Sequence, residues 1–343
     1  MHDRAVGFVH GAQGVARVII GRWQLVETLG TSRDWSMLTA GTAPREWASY
    51  QRAVPARLQP LIAAAHETGA PVEEVLPRSR NPWSELRFRA VPVLWPDSSV
   101  HAVKVWVGPE VPADELRVAP FQVDAYARVV RMHPAGLGSH FGSAPVEYSG
   151  AESFERVERF DRALEFVAAL HHSQPRSRWS GVATVHSTIG PRSLLVAARN
   201  GDAEQRFAWR GVSVDVTDSV APQHKSFEAA TLELLRESQP GLYLVIVDTA
   251  QVRAVRWVTE PVPGLTWRGV DERTVPHPED RPRIAALRAE VLAGATRAGL
   301  SGLRLAAEAG GWLTVDVEVS PLPGGGAAPA FLLAQVQVTA QPG

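Results

Sequence analysis

The sequence predicts an α+β protein of three small domains, each an antiparallel sheet with helices on one face. Three observations lead there. A chain of 343 residues, 45% hydrophobic and 21% charged, is too long for one ordinary core and too apolar to stay disordered. Its apolar runs alternate at period two, as half-buried strands do. And one order of elements, a strand pair, a helix and three strands, occurs in two successive segments of roughly 100 residues.

The first segment begins near Arg22. Trp23–Gly30 reads as a strand stopped by glycine, and Trp35–Gly41 as a second. Pro44–Val54 and Ala56–Thr68 read as helices; Leu58, Leu61, Ile62 and Ala65 fall at helical spacing, and Gly69 stops the run. Ser84–Trp95 and Val100–Gly108 are strands around a turn at Pro96–Ser99, a hairpin signal. The proline-rich stretch 107–116 marks a boundary.

The middle segment opens with Phe121–Met132 as a strand pair or hairpin. Gly136, Gly138 and Gly142 surround a loop. Ser153–His172 carries the strongest helical stripe, Phe154, Val157, Phe160, Leu164, Val167 and Leu170. Strands follow at Ser180–Thr188, Arg192–Asn200 and Phe207–Val216, with a turn at Asn200-Gly201-Asp202. On the last strand Val212, Val214 and Val216 share one face, and the run ends in Asp215-Val216-Thr217-Asp218.

Residues 219–237 connect to the third segment. Ser226 caps an expected helix to Glu237 with Phe227, Ala230 and Leu234 on one face. That helix reads as packing on its own domain or as a signalling connector. The third segment repeats the middle order. Gly241–Thr249 and Val252–Glu260 form a hairpin, and Pro278 opens a helix with Glu279 and Asp280 at its positive end. Gly299–Glu308, Trp312–Leu322 and Ala330–Ala340 are strands.

Composition excludes several functions. The net charge of -1 gives no basic footprint for nucleic acid or an anionic membrane. The absence of cysteine removes disulfides, thiol catalysis, Fe–S clusters and cysteine-bound zinc. No run approaches ~18 consecutive apolar residues, and the start shows no clear cleavage site, so the expectation is a cytoplasmic protein without a signal peptide or spanning helix. P-loop, Gly-x-Gly-x-x-Gly, His-Glu-x-x-His and Gly-x-Ser-x-Gly patterns are missing. No catalytic residues, no metal site and no cofactor are therefore assigned. His171 and His172 point about 100° apart on a helix and suit its negative end better than a shared metal. His133 and His140 flank the glycine loop without a carboxylate nearby in sequence.

A last core strand ending in Asp215-Val216-Thr217-Asp218 resembles the end of a PAS domain, which closes on Asp-x-Thr-[Asp/Glu]. His277-Pro278-Glu279-Asp280 resembles the helix start that precedes the last three strands in many PAS domains. With Trp23–Gly30, these motifs make the chain resemble an actinobacterial family of sensor-only proteins with one GAF and two PAS domains. The resemblance implies an N-terminal extension (1–21), a GAF-like domain (22–117), a PAS-like domain (118–222) and a second PAS-like domain with its leading connector (223–343). It implies signal integration without an attached effector, so that a separate protein effector is the expected partner, with a small-molecule ligand as the input.

Under that reading Tyr126, Phe166 and Trp209 are the interior aromatics that would line a pocket. Asp215, Thr217, Asp218, Phe227, Ala230 and Leu234 would form the signalling connector. Asp215 and Asp218 equally suit capping of a strand end or helix entry. Three function classes follow: a non-enzymatic sensor or scaffold, a protein–protein adaptor with filled pockets, and an enzyme with an unrecognised site. A ligand-sized pocket separates the first from the second, and polar groups with perturbed pKa inside it would favour the third.

Overall fold

The structure, a computed structural model, describes residues 23–27, 36–38, 55–76, 85–224, 234, 241–250, 252–322 and 331–340. The extension 1–21, the expected helix at 44–54, and Phe227 and Ala230 of the connector lie outside the described residues. Leu234 is helical and exposed.

The strands form three separate sheets among the described residues, as the α+β reading requires. The first contains β1 (Gln24–Glu27), β2 (Ser36–Leu38), β3 (Val72–Val75), β4 (Arg87–Leu94) and β5 (Val100–Gly108), in the spatial order β2-β1-β5-β4-β3. The middle, seven-stranded sheet includes β6 (Val118–Asp124), β7 (Val129–Met132), β10 (Arg178–Ser187), β11 (Gly190–Asn200) and β12 (Ala208–Asp215), in the run β7-β6-β12-β11-β10. Short strands β8 (Val146–Ser149) and β9 (Val157–Arg159) lie between in sequence. The third contains β13 (Tyr243–Asp248), β14 (Arg253–Trp257), β15 (Ala298–Ala306), β16 (Trp312–Pro321) and β17 (Phe331–Ala340), in the order β14-β13-β17-β16-β15. Each sheet thus places its five core strands in the order second, first, fifth, fourth, third. The first sheet shares a topology that the sequence revealed for the other two.

By contacts the chain divides into two units. One comprises residues 1–123, 131–146 and 173–223; the other comprises 124–130, 147–172 and 224–343. In the first unit, period-two alternation gives the first sheet two buried faces. Phe88, Ala90, Val103, Val105 and Val107 pack on Leu58, Ile62 and Ala65 of α1 (Pro55–Thr68). Leu25, Val93 and Ala102 point the other way and share a core with Ala197, Val212 and Val214 of the middle sheet. The far face of that sheet is covered by 3-10 turns at Pro134–Leu137 and Ser139–Phe141, which bury Leu137 against Ala119 and Leu194.

Close packing has a visible consequence at Gly211. A Cβ there would lie 2.4 Å from both the Ala197 carbonyl oxygen and the Phe121 ring. The Gly211 carbonyl accepts a hydrogen bond from Nδ1 of buried His101 at 3.3 Å, and the Trp95 ring stacks on His101 at 5.3 Å.

The expected helix over Ser153–His172 is corrected. A 3-10 turn (Glu152–Phe154) and β9 precede a shorter α2 (Ala163–His172). Of the apolar residues that mimicked one helical stripe, Phe154, Phe160 and Val167 do cluster, joined by Ala163, but around Val255 of β14. Packing of the phenylalanines onto a sheet, rather than helical spacing, sets the local backbone. The Asp-x-Thr ending is also corrected as a helix-entry cap. Oδ1 of Asp215 accepts hydrogen bonds from the Thr217 hydroxyl (2.6 Å) and amide (3.1 Å), and its Oδ2 holds Arg192 at 2.7 Å. Thr217 Oγ1 in turn accepts from the Ser193 amide at 3.0 Å. The motif ties the end of β12 to β11, while Asp218 sits exposed in the following turn.

Two predictions follow. Trp209, fully buried on β12 with Nε1 donating to Ser173 Oγ at 3.4 Å, should cost ~3–5 kcal/mol on substitution by Ala in urea unfolding. A loss under ~1 kcal/mol would contradict its burial. His101 gives a pH dependence. Burial, the leading cause, lowers its pKa from 6.5 to about 4. The unfolded chain therefore binds a proton that the folded chain refuses over that window, and stability should fall by about 3 kcal/mol as pH drops through it. In His101→Gln the fall over the same window should be smaller by that amount; an unchanged profile would remove His101 as the cause.

Candidate functional site

Period two also organises the third sheet. Ile246, Val255 and Phe331 face the α2 cluster, whereas Val245, Val247, Ala254 and Leu332 face the opposite way. On that opposite side lies α3 (Arg281–Leu292), which offers Ile284 and Leu287. The two surfaces do not close completely. They leave a cavity of about 170 Å³ whose wall is mostly aliphatic, with Trp257 and Trp267 as its aromatic members.

The His-Pro-Glu-Asp motif holds the helix that roofs this cavity. His277 caps the 3-10 turn Pro278–Asp280, its Nδ1 accepting from the Glu279 amide at 3.2 Å. Asp280, 3% exposed, accepts from the Arg304 amide (3.0 Å), Arg304 Nε (2.9 Å) and Arg283 (3.0 Å). The Arg304 hydrogen bonds hold the Asp280 carboxyl well below the usual carboxylate range. One side chain thereby joins the start of α3 to β15 in the sheet.

At one end of the cavity the wall becomes polar, through Asp248, Thr249, Glu272 and Arg288. Three of these have partners within the unit. Asp248 forms an ion pair with Arg128, and Arg288 Nε donates to the Thr249 carbonyl. Arg128 also donates to the Ala254 carbonyl at 3.2 Å. Burial pulls the Arg128 guanidinium down to about 10, with Glu272 opposing the shift. Beside it, Arg253 is 1% exposed and donates to the Tyr126 carbonyl at 2.8 Å, with Asp271 3.4 Å away. Asp271 is held down at about 2, chiefly by its hydrogen bonds from Arg273.

Glu272 differs from these. It is 8% exposed, its Oε1 has no hydrogen-bond partner among the described residues, and burial raises its pKa. The unpartnered Nε1–H of Trp257 is a second such group on the cavity wall. Among the described residues no group of three or more His, Asp or Glu side chains is placed to hold a metal. A more polar groove of about 420 Å³ in the first unit includes His66, Ser99 and exposed Glu67 and Arg210.

None of the three aromatics expected to line a pocket lines the cavity. Trp209 is core in the first unit. Phe166 is half-buried on α2 beside Phe160, with ring centroids 6.1 Å apart. Tyr126 is 55% exposed, because the turn that carries it directs its carbonyl, not its ring, to Arg253; the ring lies under Arg273 at 5.2 Å. The connector residues Asp215 and Thr217 are joined, as described above, in a strand-end turn. His140, expected to lack a carboxylate, has Nε2 3.9 Å from Asp215. Glu272 was missed because it sits in an irregular, polar stretch without periodicity. Arg253 carried one signal: it shares strand parity with buried Val255.

Comparison with known proteins defines the class. A family model described as Rv3651-like, N-terminal, matches residues 22–114, and one described as Rv3651-like, C-terminal domain, matches residues 230–334. Together they span more than half of the chain, which belongs to the Rv3651-like family. A crystal structure of a protein from Mycobacterium tuberculosis is similar with a TM-score of 0.69 and 20% identity, over 93% of this chain and 96% of that one. At that identity the likeness shows the fold. An RNA-binding light-oxygen-voltage receptor aligns with a TM-score of 0.26 and 12% identity, over 65% of this chain and 95% of its own, a likeness too slight to support an inference. No curated protein matches. No helix among the described residues is long and apolar enough to cross a membrane.

The buried pair at the cavity's polar end yields a prediction. Asp248→Ala leaves Arg128 buried without its carboxylate and should cost ~3–5 kcal/mol in denaturant unfolding. A cost near zero would mean that water already solvates Arg128.

Proposed function

We propose that the protein is a non-enzymatic sensor or scaffold whose third sheet takes up a small ligand and alters the binding of a separate protein effector. The observation that carries this reading is the 170 Å³ cavity between the third sheet and α3. A cavity of this size supports a sensor over an adaptor with filled pockets. Its position supports the PAS-like label for residues 223–343: a pocket against the sheet, roofed by the helix that the His-Pro-Glu-Asp motif starts. The shared strand order supports the same label for the middle segment and is compatible with a GAF-like first one. A ligand would act by binding two arrangements of α3 unequally, and no other input is needed. Residues 219–237 carry the chain from the middle sheet into the third, which makes them the segment through which such a change would pass. Glu272 is a wall group whose pKa burial raises, but one such carboxyl, with no His or Ser beside it on the wall among the described residues, does not make a catalytic set. Catalysis therefore has no part in this reading, and a cytoplasmic site of action fits it.

The test is native mass spectrometry of the full chain purified from its own host. Wild type should carry an adduct of small mass, and Ala334→Phe, which fills the cavity from β17, should lose it while remaining folded by circular dichroism. Bare chain mass in both would turn the reading toward the adaptor.

A further inference from the structure

The cavity's chemistry narrows the ligand. A cavity of about 170 Å³ is close to the roughly 150 Å³ that accommodates one benzene ring in an apolar protein interior. Most of the wall offers dispersion contacts and no hydrogen bonds. Asp248 and Arg288 are engaged by Arg128 and the Thr249 carbonyl. Glu272 and Trp257 each present a buried polar atom without a partner. Leaving such an atom unpaired costs about 1–3 kcal/mol, so a ligand that pairs it gains affinity that a hydrocarbon cannot.

Charge selects among polar ligands. An anionic group would enter a wall that already holds the Asp248 and Glu272 carboxyls. A cation would approach the guanidinium groups of Arg128 and Arg253, which both interact with Glu272. An uncharged hydroxyl avoids both costs. It donates to Glu272 when the carboxyl is ionised, accepts from it when protonated, and can accept from the Trp257 N–H.

We propose that the cavity binds a compact, uncharged molecule carrying a hydroxyl, roughly one ring or six to ten non-hydrogen atoms in size, with Glu272 as its hydrogen-bonding anchor. This rests on the sensor reading above and adds to it the class of ligand and the residue that selects it. Glu272 is held for the task by its own turn. Asp271 caps that 3-10 turn through the Arg273 amide, and the turn's end is tied to the sheet by the Ala306 amide donating to the Val275 carbonyl at 2.8 Å.

The experiment is isothermal titration calorimetry of the full chain with p-cresol, 4-methylanisole and toluene. These share one ring and differ in having an O–H, an ether oxygen or neither. Wild type should bind p-cresol at least tenfold more tightly than toluene, with 4-methylanisole weaker than p-cresol. Glu272→Leu should bring p-cresol and toluene to within about twofold by weakening p-cresol while toluene still binds. Equal affinities for p-cresol and toluene in wild type would overturn the polar anchor and leave the cavity reading intact; the three-ligand series in wild type keeps this test even if the variant misfolds. Preference for p-cresol that survives in Glu272→Leu would assign the anchor elsewhere. Failure of all three to bind wild type would overturn this proposal, and an absent adduct in native mass spectra would then bring down the sensor reading with it.

Discussion

The arrangement of the third sheet depends on the carboxylate of Asp280. An antiparallel sheet buries one face against whatever covers it, and here the cover is the segment carrying Leu265, Trp267 and Val275 together with a helix of twelve residues, Arg281–Leu292. A helix of that length is marginal in isolation and takes its stability from what it touches. Asp280 fixes its first turn by accepting hydrogen bonds from Arg283 on the helix and Arg304 on β15. With that end pinned, α3 does not need to press its whole apolar face onto the strands to stay in place. The gap that remains is the cavity. A void of 170 Å³ corresponds to about 4 kcal/mol at ~24 cal/mol per Å³, a large share of a typical domain's ~5–15 kcal/mol. A motif that holds the helix by hydrogen bonds rather than by close packing makes such a void tolerable.

Much of the fold was legible because strands advertise themselves. The alternation in β5, β12 and β17 placed most of the core strands, and the glycine and Asn-Gly-Asp turns placed the hairpins. β3 was not foreseen, because its four residues Val72–Val75 are too short, and too polar at Glu73 and Glu74, to show a period. What the pattern could not convey is that both faces of a sheet can be buried. Val103 and Ala102 are both fully buried, one toward α1 and the other toward the middle sheet, so the alternation there distinguishes two interiors rather than interior from solvent. The same ambiguity hid the role of Phe154–Val167. Their spacing fits a helix, but it fits equally a turn, a short strand and a helix that all lay apolar residues on one outer sheet face.

The candidate site was less legible, for a different reason. Large aromatics are the natural guess for a pocket wall, yet Trp209 is committed to a core and Tyr126 to a surface contact with Arg273. The wall that does surround space is built from ordinary Val, Leu and Ala side chains, whose sequence signature is that of any core. Its polar end combines residues 128, 248, 253 and 272, joined through the turn after β6, the end of β13, the start of β14 and an irregular segment. No local spacing unites them, since each interaction is made between stretches far apart in the chain.

Three sheets with one strand order therefore need not share one function. In the first unit, two sheets turn faces toward each other and bury Leu25, Ala102, Val212 and Val214 in one core. That use of a sheet face consumes the surface against which a ligand would lie. In the second unit the inner face of the third sheet meets a helix instead, and buried charge lies at the edge of the contact. Arg128 and Asp248 pair there and Arg253 donates to the Tyr126 carbonyl, and packing that end with apolar side chains would strand these groups at a cost of several kcal/mol. The charged end and the hydrogen-bonded helix start thus work together: one resists collapse from the side, the other removes the need for it from above. Glu272 is drawn toward Arg128 and Arg253 but keeps one carboxyl oxygen, Oε1, without a hydrogen bond among the described residues.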